Sequence, residues 1–150
     1  MASKPETVFY TAVNRLLPRV LHKEKMCNPY RGGTADFWYS GNAGDLWIEY
    51  KWLQRAPHKQ FDLTAGKNPV LSGLQQKWLR ERHGEGRSVA VMIGTPSGVM
   101  VLQNVEWATP VTPAFILTRL DAAIWIQKRT YDAKKDCTVG NSSKSHDPDV

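Results

Sequence analysis

The stretch GDLWIEYKWL, residues 44–53, decides how this chain is read. It is apolar enough for a buried strand, yet it carries Asp45, Glu49 and Lys51. Side chains on a strand alternate between faces. Asp45, Trp47, Glu49 and Lys51 therefore share one face, and Leu46, Ile48, Tyr50 and Trp52 share the other. An acid and a base stand two residues apart on one face of a hydrophobic strand.

Upstream, ADFWYS (35–40) is aromatic and strand-like, and GNAG (41–44) supplies a hairpin turn between it and the 44–53 strand. NPYRGGT (28–34) reads as a glycine-rich loop with a basic residue, Arg31. VLHKEKMC (20–27) reads as a further strand. Before it, apolar residues at helical spacing predict a helix over 6–17, with Pro5 at its start and Pro18 ending it.

Downstream, residues 54–69 have no sustained period and form a long connection, a kind that is often functional in compact domains. Leu71 to Gly84 reads as a helix with Ser72 as N-cap and Gly84 as the stop, and with Leu71, Leu74, Trp78 and Leu79 facing the core. VAVMIG (89–94) and VMVLQ (99–103) read as strands joined by TPSG, and a last helix is expected over 113–131. The order helix, three strands, helix, two strands, helix predicts an α/β domain, a mixed central sheet flanked by helices. The expected boundaries are one domain over 1–133 and a polar, disordered tail over 134–150.

The chain has 150 residues, a hydrophobic fraction of 41% and a net charge of +6, which suit a single soluble domain with a polyanionic partner. Residues 1–60 carry nine Lys/Arg against five Asp/Glu, so most of the basic excess lies near the odd strand. No run is long enough for a membrane span and the N-terminus has no signal-type core. A cytoplasmic protein is expected. Cys27 and Cys137 fit neither a disulfide framework nor a zinc site.

In a hairpin closed by 41–44, Asp36 lies on the strand beside Glu49. Two carboxylates on adjacent strands can converge on one hard cation, with water and substrate phosphate completing its shell. A lysine two residues beyond Glu49 can orient a nucleophile or offset the charge that develops on an attacked phosphate. The bland alternative is an ion pair on a solvent-facing strand. Arg31, Arg55, His58, Lys59 and Lys67 are candidate contacts to a nucleic-acid backbone. Trp47 shares a face with Glu49 and is placed to flank a groove.

The order Asp36, hairpin, Glu49-Tyr50-Lys51 resembles the PD-(D/E)xK nuclease superfamily, with Ala35 where that motif has proline. RGGTADFWYSGNAGDLWIEYKWL resembles the R-G-x-x-D…E-x-K core of VRR-NUC nucleases and archaeal-type Holliday-junction resolvases. LSGLQQKWL resembles the helix that follows it, and the resemblance spans residues 6 to about 103. It implies a restriction-endonuclease-like core and an endonuclease dependent on Mg²⁺, with Mn²⁺ able to substitute. The implied substrate is branched or structured DNA in recombination or repair. Asp36 and Glu49 match the metal carboxylates, the Tyr50 carbonyl a further ligand, and Lys51 the catalytic lysine. Gln75 matches an active-site glutamine, and Glu6, the acid that opens the first helix, a further metal ligand. A homodimer is implied, for which the last helix, with Trp125 and Ile126, offers a face; core packing explains those two residues equally well. The small size suits a phage enzyme. The alternative is a nucleic-acid-binding or inhibitor module that keeps the fold without the chemistry.

Overall fold

A computed structural model describes residues 2–28, 30 and 32–139, of which 137–139 by backbone alone. Helix α1 (Pro5–Arg15) is followed by β1 (His22–Lys25), β2 (Phe37–Gly41) and β3 (Gly44–Trp52). Then come α2 (Gly73–Gly84), β4 (Val89–Thr95), β5 (Gly98–Gln103), a short 3-10 turn (Glu106–Ala108), α3 (Arg119–Thr130) and α4 (Ala133–Val139). The five strands form one sheet in chain order, antiparallel except for β3 and β4. A parallel pair cannot be joined by a tight turn, so the chain leaves the sheet after Trp52 and returns through α2. The fold is α/β, a mixed five-stranded sheet flanked by helices. No helix among the described residues is long and apolar enough to cross a membrane.

The alternation in β3 divides the core in two. Leu46, Ile48 and Tyr50 join Phe9 and Val13 of α1 and Ala122, Ala123 and Ile126 of α3 on one side of the sheet. Trp47 packs on the other side with Leu79 and Trp78 of α2. Every residue of β4 is buried, as a strand covered on both faces requires. Glu49 therefore sits on the α2 side, in a wall that is otherwise apolar.

Four expectations need correction. The last helix begins at Arg119, not near 113. Thr118 and Asp121 form a reciprocal N-terminal cap, and the backbone of Leu117 pairs with Val99, so the preceding residues are held as strand. Leu74 is 59% exposed, because α2 turns it toward the 28–34 loop. Ile126 is fully buried in the core and Trp125 is half-buried under the Arg129 guanidinium, 3.7 Å from its ring centre. Those two residues are not a free face for a second copy.

The expected tail from 134 begins as α4. Asp132 Oδ1 accepts the Lys134 N–H as a helix cap, and Asn42 Nδ2 donates to Asp132 O and Asp136 Oδ1, which docks this helix on the β2–β3 turn. Residues 140–150 lie outside the described residues, as does the rest of that expectation. The 54–69 connection is also partly ordered by pairing, since Phe61 bridges Val111 and Leu63 is fully buried.

Candidate active site

The β2–β3 register sets Phe37 opposite Ile48, so Asp36 enters the sheet beside Glu49. Asp36 Oδ2 accepts the Tyr50 N–H at 2.8 Å, and Met26 N donates to the Asp36 carbonyl at 2.7 Å. The Asp36 carboxylate is thus fixed to the main chain between Glu49 and Lys51. The Tyr50 ring is fully buried on the opposite side, which leaves only its main chain for the site.

Glu49 is 2% exposed. Its Oε1 accepts Gln75 Nε2 at 2.7 Å and lies 3.4 Å from Lys51 Nζ. Its Oε2 is buried and has no hydrogen-bond partner among the described residues. A buried carboxylate oxygen without a partner is costly. Burial, then the Asp36 charge, push the Glu49 carboxyl up to about 8, with Lys51 opposing them. Burial also raises Asp36, against the Tyr50 N–H, Lys51 and the Glu49 carboxyl beside it. Two carboxyls held this close compete to stay ionised.

Gln75 reaches Glu49 because of how α2 starts. Ser72 Oγ accepts the Gln75 N–H, and Gln75 Oε1 accepts the Ser72 N–H at 3.0 Å. This reciprocal cap uses the amide oxygen and points the amide nitrogen at Glu49. Gln76 instead donates to the Leu71 carbonyl at 2.8 Å. Gly33 has φ of +90°, and a Cβ there would stand 2.3 Å from the Leu74 carbonyl oxygen. The glycine loop can therefore lie directly on the first turn of α2, which helps seat Gln75.

Glu6 is in the first turn of α1, after Pro5. Burial, then the charge of Asp36, raise its carboxyl, while Lys51, Lys4 and Lys25 oppose them. Glu6 thus stands at the same end of the sheet as Asp36. Nothing in the sequence marks Lys25, since β1 is short, largely exposed and without apolar period.

Arg55, His58, Lys59 and Lys67 are exposed on the connection after β3, and none forms an ion pair among the described residues. Arg31 lies outside the described residues. Asp45 is a strand residue that accepts the hydroxyl of its cross-strand partner Ser40, and Asp62 accepts both the N–H and the hydroxyl of Thr64 in a local turn. Trp38 and Trp47 are cross-strand partners and stack at 6.0 Å between ring centres.

Among the described residues no group of three His, Cys, Asp or Glu side chains could hold a metal ion alone. The residues present still fit a hard divalent cation whose shell is completed by main chain, water and substrate oxygen. Asp36 and Glu49 both offer carboxylate oxygens, and the buried Glu49 Oε2, without a hydrogen-bond partner among the described residues, is one that a bound cation would satisfy.

The raised Glu49 carboxyl has a measurable consequence for stability. Its folded pKa exceeds its unfolded value, so its contribution is complete below the unfolded value and is lost as pH rises through about 8. Without divalent ions, the protein should lose on the order of 3 kcal/mol more between pH 5.5 and 9 than a Glu49→Gln variant does. Denaturant melts in EDTA at both pH values check this, and parallel pH profiles for the two proteins would refute it.

No protein-family model matches the chain, and no curated protein matches it. Among solved structures it is similar to Hjc, a Holliday junction resolvase from the archaeal hyperthermophile Archaeoglobus fulgidus. The two share 12% identity and superpose with a TM-score of 0.47, over 79% of this chain and 96% of the other.

Proposed function

We infer that this chain is a divalent-metal-dependent endonuclease of the PD-(D/E)xK type that hydrolyses phosphodiester bonds in branched or structured DNA. The observation that carries the reading is the buried Glu49 carboxylate beside the half-buried Asp36, with Glu49 Oε2 partnerless among the described residues and Lys51 Nζ 3.4 Å from Glu49 Oε1. A module that only bound nucleic acid would gain nothing from two acids held against a phosphate backbone, because their repulsion lowers affinity.

Asp36, Glu49 and the Tyr50 carbonyl would hold Mg²⁺ or Mn²⁺, which would supply Lewis acidity toward the phosphate when bound. Gln75 fixes the Glu49 carboxylate through Oε1 and leaves Oε2 for the metal. Lys51 sets its ammonium where negative charge grows on the phosphate and orients the attacking water. Glu6, close enough to Asp36 to feel its charge, would supply a further carboxylate to the metal's shell. Arg31, Arg55, His58, Lys59 and Lys67 carry the DNA backbone. Paired cuts in a branch need two such sites, and we read the working form as a homodimer, with a face other than Trp125 and Ile126.

Branched, nicked, linear and single-stranded DNAs, incubated with Mg²⁺, with Mn²⁺ and with EDTA, test this. Cleavage is expected only with a divalent ion, and a branched substrate should exceed a linear duplex of the same sequence by more than about tenfold, roughly 1.4 kcal/mol. Equal cleavage of the two would remove the structure preference and leave the nuclease. Cleavage that persists in EDTA would remove the metal.

A further inference from the structure

Lys25 is the last residue of β1 and pairs with Phe37, one residue after Asp36. Its side chain is tethered, unlike that of most exposed lysines. Lys25 Nζ donates to Tyr10 Oη at 2.8 Å, and that hydroxyl in turn donates to Thr7 Oγ1 at 3.4 Å. The Tyr10 ring is itself fixed against Phe37 and Tyr50, with centres 5.1 and 5.9 Å away. The ammonium is thereby held from α1, one turn along from Glu6, at the end of the sheet where Asp36 lies. Its charge acts on both Asp36 and Glu6.

Lys51 spends its charge on Glu49, but Lys25 forms no ion pair with a carboxylate among the described residues. An ammonium has three donors. One is used on a neutral phenol and two remain. Holding a long side chain in one place costs rotamer entropy on binding, and the phenol has already met that cost. A preorganised cation without an anionic partner, at the mouth of a phosphodiester site, suits an anion brought by the substrate.

We propose that Lys25 binds a backbone phosphate of the cleaved strand adjacent to the scissile one, and that Tyr10 is the positioning residue that aims it. Lys51 serves the scissile phosphate from the α2 side of the sheet, and Lys25 stands on the α1 side. The strand is thus gripped on both sides of the cut. This rests on the nuclease reading above.

The test is binding of a fluorescent branched DNA in EDTA across a salt series, with steady-state cleavage in Mg²⁺ beside it. Lys25→Ala should weaken binding about tenfold and flatten the log–log salt slope by about 0.9, one phosphate contact. KM should rise by more than kcat falls. Lys25→Gln, which keeps the stem, should show the same slope change, and Lys25→Arg should restore it. Tyr10→Phe keeps the ring packing and should weaken binding about threefold alone, with no further loss in the Lys25→Ala background. A wild-type slope in Lys25→Ala and Lys25→Gln overturns the proposal while metal-dependent cleavage keeps the nuclease reading. An equal loss from Tyr10→Phe in both backgrounds overturns the positioning role. A wild-type protein that neither binds nor cuts DNA overturns both readings.

Discussion

Glu49→Gln should lower metal-dependent DNA cleavage by on the order of 10³-fold or more and leave the protein folded. The substitution keeps the shape of a side chain that is 2% exposed. Its amide oxygen can still accept from Gln75 Nε2, so the wall of the core is preserved. What disappears is the negative charge that a divalent cation needs. Asp36→Asn should act in the same way, because its amide oxygen can still accept the Tyr50 N–H that fixes the native carboxylate. Both variants should bind DNA at least as well as the wild type in EDTA: Asp36→Asn removes a charge facing the phosphates, and Glu49→Gln changes little near neutral pH, where a carboxyl pushed up to about 8 already holds its proton. Single-turnover cleavage and a binding titration separate the two effects. Either variant cutting at close to the wild-type rate would end the metal assignment.

Lys51→Met should reduce the cleavage rate by about 10²-fold or more, because no ammonium then meets the charge that grows on the phosphate in the transition state. Methionine is the informative replacement because the Lys51 side chain is only 17% exposed, so much of its stem is packed. The sequence alone suggests a lysine facing a groove and burying little. Lys51 also pulls the Glu49 carboxyl downward. Without it Glu49 should hold its proton to higher pH, and protons should compete with the metal over a wider range. Any residual activity should therefore peak at more alkaline pH than in the wild type. A pH–rate profile checks the shift. If the rate falls only in step with the melting temperature, and the profile keeps its shape, Lys51 is a structural partner of Glu49.

The hairpin from Asp36 to Lys51 is legible because its signals are local: alternation, a GNAG turn and charges at odd positions on one strand. The start of α2 is legible for the same reason, since Ser72 and Gln75 form a cap within four residues. The start of α3 is not, although Thr118 and Asp121 carry a similar cap. Phe115 and Ile116 fit the helical spacing of the residues that follow, and only the pairing of Leu117 with Val99, nearly twenty residues earlier, shows that they are extended. Leu74 fits the core pattern of its helix and still faces outward, because the spacing of apolar residues does not reveal that a glycine loop lies against its main chain. Lys25 leaves no trace in the sequence. Its position depends on a phenol fifteen residues away on another element, and no periodicity encodes that.

The reciprocal cap at Ser72 and Gln75 ties two scales together. Local fraying of a helix end is ordinarily a small event, far cheaper than unfolding a sheet. Here the amide that closes the first turn of α2 also steers Glu49. Each time that turn opens, the carboxylate loses its guide while the five strands remain paired. The fraction of molecules competent to act is then set by the closing equilibrium of one helical turn, and warming would silence the site well before the domain melts.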